Sequence, residues 1–75
     1  MAKHNRNDEA IHKIAEQLKT IRKQAGLLQK PVTRETGVNV GDVEAELTNL
    51  SITTLDRLCR YYGITLTEFF RELEM

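Results

Sequence analysis

Seventy-five residues allow one small domain built around a single core. The composition, 40% hydrophobic and 29% charged, is that of a globular chain and too apolar for wholesale disorder. One cysteine, Cys59, no apolar signal region and no apolar run near ~18 residues exclude a disulfide-stapled domain and a membrane span. The expectation is a reduced, cytoplasmic protein. Zero net charge hides an asymmetry: residues 1–34 carry eight cations against three acids, a balance of +5, and residues 35–75 carry the reverse, −5. Such a split suits either a half that faces a polyanion or two faces that pair head to tail.

Residues 1–7 are polar and aperiodic, a loose tail ahead of a domain over 8–75. From Asp8 the apolar residues Ile11, Ile14, Leu18, Ile21 and Ala25 recur at helical steps. Asn7 or Asp8 can cap this first helix, and Gly26 stops it. A second, shorter helix spans about Gln29 to Glu35, with Pro31 in its first turn, where a missing N–H costs little. Val32 and Thr33 face inward, and Gly37 ends the helix in a tight turn.

A third helix runs from about Asn39 to Leu47 or Thr48, with Val43 and Leu47 on one face. Ser51 or Thr53 caps a fourth that carries Leu55, Leu58, Cys59 and Tyr62, and Gly63 closes it. Thr65 with Glu68 forms a capping box for a fifth, bearing Leu66, Phe69, Phe70 and Leu73. No stretch alternates with period two, so the chain is read as all-α, five helices around a core of Ile14, Leu18, Val32, Val43, Leu55, Leu58 and Tyr62. Adjacent phenylalanines on a short helix cannot both point inward, which places one of Phe69 and Phe70 in the core and the other at an interface.

This order of helices resembles the phage repressor and Cro-like helix-turn-helix family. The likeness is carried by Ile21-Arg22-Lys23-Gln24-Ala25-Gly26-Leu27-Leu28-Gln29, by Thr36-Gly37-Val38-Asn39 at the turn, and by Thr54 to Thr65 with Glu68-Phe69-Phe70. It covers about residues 11–70. The resemblance implies a five-helix repressor-like DNA-binding domain with the helix-turn-helix at helices two and three. It further implies a transcription regulator that binds double-stranded DNA as a homodimer, at a near-palindromic operator, through its third helix. Carried over by position, Gln29, Lys30 and Arg34 grip the backbone, and Asn39, Val40, Gly41, Glu44 and Ala45 meet the bases. Phe69, Phe70 and Leu73 form the dimer seam.

The residues themselves also support a second reading. Between Arg34 and Arg57 there is no cation, whereas Glu35, Asp42, Glu44 and Glu46 supply four acids, and Val40, Gly41 and Ala45 bring no long donor for base edges. A protein-interaction module on the same scaffold, docking a partner through an acidic third helix, has this pattern. Lys13, Lys19, Arg22, Lys23, Lys30 and Arg34 are either a phosphate-facing flank or a solvated helix face. His4, His12 and Cys59 match no compact metal spacing, and Cys59 lies on an apolar stripe. Nothing forms a catalytic constellation, so no enzyme activity, cofactor, metal or small-molecule substrate is expected.

Overall fold

A computed structural model describes residues 7–73, and every regular element within them is a helix: α1 (Asp8–Gln24), α2 (Gln29–Thr36), α3 (Val40–Glu44), α4 (Ile52–Tyr61) and α5 (Leu66–Glu72). Apart from Asn7, the expected tail lies outside the described residues. Asn7 caps α1, its side-chain oxygen accepting from the Ala10 amide at 3.0 Å. Asp8 and Glu9 sit in the first turn and Arg22 and Lys23 in the last, each opposite the helix-end charge that favours it.

The buried stripe of α1 is Ile11, Ala15, Leu18 and Arg22, with Ile14 and Ile21 half-buried along its edge. The helix is therefore turned from the Ile14–Leu18–Ile21–Ala25 register that its apolar residues suggest, and Ala25 is exposed at the C-cap. Arg22 belongs to the buried stripe in this register, its guanidinium paired inside with Glu44 on α3.

The turn between α2 and α3 is stitched by two threonines. Gly37 takes the left-handed conformation at φ 76°, where a Cβ is penalised, and its amide donates to the Thr33 carbonyl. The Val38 amide then donates to Thr36 Oγ1, and the Val40 amide donates to Thr33 Oγ1, both at 3.1 Å. Val32 and Val40 pack inside on either side of this turn.

Helix α3 is shorter than its apolar pattern predicts. It begins at the Asn39 cap and stops at Glu44, because Glu46 adopts a left-handed φ of 63° and reverses the chain. The Leu47 amide donates to the Asp42 carbonyl and the Glu46 amide to that of Val43, a paired closure that also ends α1 and α4. Leu47, expected on the core face, is 70% exposed as a result.

Ser51, not Thr53, caps α4, and the Thr65–Glu68 capping box is present on α5. Leu18, Val32, Val43, Leu55, Leu58 and Phe69 make up the centre of the core. Ile14 and Tyr62, expected there, are half-buried at its rim. Helix α3 packs against both α1 and α2, so the outer side of the α2–α3 pair is left to solvent.

Candidate functional site

On that outer side, α2 presents Gln29, Lys30 and Arg34, all exposed, and α3 presents Asn39, Gly41, Asp42 and Ala45. Gln29, Lys30, Thr33, Arg34, Asn39 and Gly41 line a shallow depression between the two helices. A second groove, beside Gly37, Asn39 and Asp42, runs to Ser51, Thr54 and Arg57 at the start of α4. Asn39 stands between them. The Arg57 guanidinium is anchored at the turn, its Nη1 donating to the Thr36 carbonyl at 3.3 Å. Lys30 and Arg34 thus line one side of Asn39 and Arg57 the other, with the exposed Asp42 of the first turn of α3 in the same groove as Arg57.

Two residues expected to meet a ligand at this face are interior. Val40 is a core side chain. Glu44 is 4% exposed and bound three times: its Oε2 accepts from Arg22 Nε at 2.7 Å, and its Oε1 accepts from Arg22 Nη2 at 3.0 Å and from Gln29 Nε2 at 2.9 Å. Arg22 also donates from Nη1 to the Leu27 carbonyl at 2.7 Å. The hydrogen bonds to Glu44 hold the guanidinium protonated more firmly than usual, against the opposing effect of burial. Arg22 is therefore not part of a phosphate-facing flank. A charge pair can be interior when each partner neutralises the other and the remaining donors are satisfied, and this one fastens α1 to α3 and to the first residue of α2. Beside it, burial pushes the Tyr62 hydroxyl up to about 12, and this hydroxyl has no hydrogen-bond partner among the described residues.

Three other acids near the face are also engaged, whereas Asp42 is exposed on it. Glu35 accepts from the Tyr61 hydroxyl at 2.9 Å, Asp56 from Arg60 at 2.8 Å, and Glu46 lies 2.7 Å from His12 Nδ1. His12, Glu16 and Glu46 bring three ligand atoms within 4.8 Å of one another, a grouping that could hold a divalent cation. Sequence spacing misses it, because Glu46 is remote from the His12–Glu16 helical pair. His4 lies outside the described residues. Cys59 is fully buried, and that burial pushes its thiol up to about 11, so it is an inert core residue at neutral pH.

The presumed seam residues divide. Phe69 is 1% exposed and belongs to the core, whereas Phe70 is 41% exposed and Leu73 half-buried. The two phenyl rings meet edge to face, 5.5 Å between centroids. Phe69 is thus removed from any interface by the same packing that leaves Phe70 outside. Lys19 is also accounted for elsewhere, 3.7 Å from Glu16 on α1.

No helix among the described residues is long and apolar enough to cross a membrane. The profile of the helix-turn-helix family matches residues 18–69, from the buried Leu18 of α1 to the buried Phe69 of α5. No curated protein and no solved structure matches the chain.

Proposed function

Because the chain belongs to the Cro-like helix-turn-helix family of DNA-binding regulators, we propose that it is a small cytoplasmic transcription regulator, a binding protein and not an enzyme, that occupies an operator in duplex DNA through the α2–α3 face. The observation that carries this reading is the placement of Lys30, Arg34 and Arg57 around the exposed Asn39 cap of α3. Helix α2 crosses the phosphate backbone, where Lys30 and Arg34 neutralise charge, and the N-terminus of α3 faces the major groove. The domain over residues 8–75 acts as a homodimer, joined at Phe70 and Leu73, that places two α3 helices ~34 Å apart on a near-palindromic site.

A protein-docking role for an acidic α3 draws on Asp42, which is exposed on the same face. It loses most of its support because Glu44 is buried on Arg22, and Glu35 and Glu46 are bound by Tyr61 and His12. Titration of labelled random-sequence duplex at several salt concentrations tests the DNA reading. Affinity should fall with salt at a log–log slope of about −0.9 for each phosphate neutralised. Lys30→Ala or Arg34→Ala should shrink that slope by about one unit. Absence of duplex binding at low salt would return the α2–α3 face to the docking role.

A further inference from the structure

Helix α3 poses a problem for any reader of bases, since with its caps it offers the face only Asn39, a half-buried glycine, an acid and an alanine. Building on the DNA-binding reading, we infer that the base-reading group comes from α2: Gln29 reads an exocyclic amine of adenine or cytosine, as a hydrogen-bond acceptor, through the space left by Gly41.

The position follows from Gly41. A Cβ placed on this residue would lie 3.4 Å from Gln29 Oε1 and 3.5 Å from Asn39 Oδ1. The Gln29 amide therefore overlies the outer side of the first turn of α3, where a side chain of residue 41 would begin. A Cβ at those distances makes ordinary contact, so alanine fits at 41, whereas a side chain longer than alanine would compete with the amide for that space.

The orientation follows from donor and acceptor chemistry. A carboxylate only accepts, so the Gln29 group directed at Glu44 Oε1, 2.9 Å away, is the NH2. Glu44 cannot swing to release it, because Arg22 holds both carboxylate oxygens. Gln29 Oε1 is left as the outward acceptor. Asn39 is fixed in the opposite sense: the Asp42 amide can only donate, so Oδ1 faces it at 3.1 Å and Nδ2 is the outward donor. The face thus shows one acceptor and one donor of set identity. In the major groove an acceptor pairs with adenine N6 or cytosine N4 and is repelled by thymine O4 or guanine O6. The neighbouring Asn39 donor suits the acceptor beside that amine: N7 of the same adenine, or O6 of the guanine paired with the cytosine. The hydrogen bond to Glu44 restrains Gln29 before contact, so less side-chain freedom is lost on reading.

The test uses the intact chain and a random duplex library, with bound sequences recovered and their affinities compared with that of the unselected pool. The wild type should enrich adenine or cytosine at one position of the half-site. At a selected adenine, 2-aminopurine, which lacks the N6 amine, should weaken binding about tenfold. In Gln29→Ala that same replacement should have no effect, and in Asn39→Ala it should still weaken binding. Glu44→Gln, checked for folding by circular dichroism, frees the Gln29 amide to flip and should accept guanine or thymine at that position. A loss in Gln29→Ala shared equally by selected and random duplexes would overturn the inference and make Gln29 a phosphate contact. Binding without base preference would overturn it too, leaving the DNA-binding reading in place. No duplex binding by the wild type would overturn both.

Discussion

Arg22 on α1 and Glu44 on α3 face each other through two hydrogen bonds of 2.7 and 3.0 Å, with both side chains more than nine-tenths buried. Removing one partner leaves the other charged and desolvated. Glu44→Gln should therefore cost ~3–5 kcal/mol, measured by urea denaturation, a large part of the stability of a domain this small. Replacing both with apolar residues of similar volume, Arg22→Met with Glu44→Leu, should recover most of that loss. A double variant no more stable than Glu44→Gln would show that the pair is a net source of stability in its own right.

The helices and their starts are legible in the sequence because each has both a periodic stripe and a stop or cap that acts locally. Asn7, the Thr65–Glu68 box and Gly37 do in the structure what their chemistry predicts. The end of α3 is not legible. The residue that turns left-handed there is Glu46, a type that carries no stop signal, and the apolar Leu47 prolongs the apparent stripe past it. The Arg22–Glu44 pair is hidden for a different reason. Its partners are 22 residues apart, and each charge taken singly belongs at the surface. Gln29 and Asn39 are legible as site candidates; the Asn39 amide is set by a local cap, but the direction of the Gln29 amide depends on Glu44, fifteen residues on, which only the folded chain brings to it.

Left-handed backbone at Gly37 and Glu46 gives opposite expectations for substitution. Apart from its chain neighbours, no atom lies within 4 Å of a Cβ at Gly37, so the cost of Gly37→Val is chiefly conformational, ~1–2 kcal/mol or more. Glu46→Gly relieves the same penalty and gives up the contacts of an acidic side chain, among them an exposed link to His12 that contributes ~0–1 kcal/mol. It should leave stability unchanged or raise it by up to about 1 kcal/mol. Thermal melts of the two variants check both signs, and a destabilised Glu46→Gly would mean that the contacts of the Glu46 side chain outweigh the relieved backbone strain.

Alkaline conditions should loosen the core. Burial raises the Cys59 thiol from 9.0 to about 11 and the Tyr62 hydroxyl from 10.0 to about 12. Both groups stay neutral in the fold at a pH where the unfolded chain has begun to release their protons. Their contribution is complete below about pH 9 and is lost as pH rises towards 11 and 12, each group removing up to ~1.4 kcal/mol per pH unit. Melting temperatures should be flat from pH 7 to 8.5 and fall steadily above 9. Cys59→Ala should show a shallower fall over pH 9–11, and an identical slope would locate the effect at Tyr62.

Self-association should depend on Phe70 and not on Phe69. Phe70→Glu places a charge at an exposed position, so it should leave the fold intact and shift sedimentation from dimer to monomer. Phe69→Ala should instead unfold the chain, at a cost of ~3–5 kcal/mol. A dimer that survives Phe70→Glu would move the seam elsewhere, with exposed Leu47 and Ile52 the next residues to substitute.

The five residues of α3 amount to ~7.5 Å of helix, less than the ~8.5 Å depth of the major groove. At ~3.4 Å per base pair, a helix of that length lies along about two steps of duplex. On the DNA-binding reading, two fully specified base pairs recur by chance about once in every sixteen positions, so a single copy of so short a face holds too little information to find an address on a genome. Rarity has to be assembled by multiplication: two copies side by side square the odds, and further pairs along the duplex raise them again. On the DNA-binding reading, the number of copies in register, more than the length of α3, sets how uncommon a site can be.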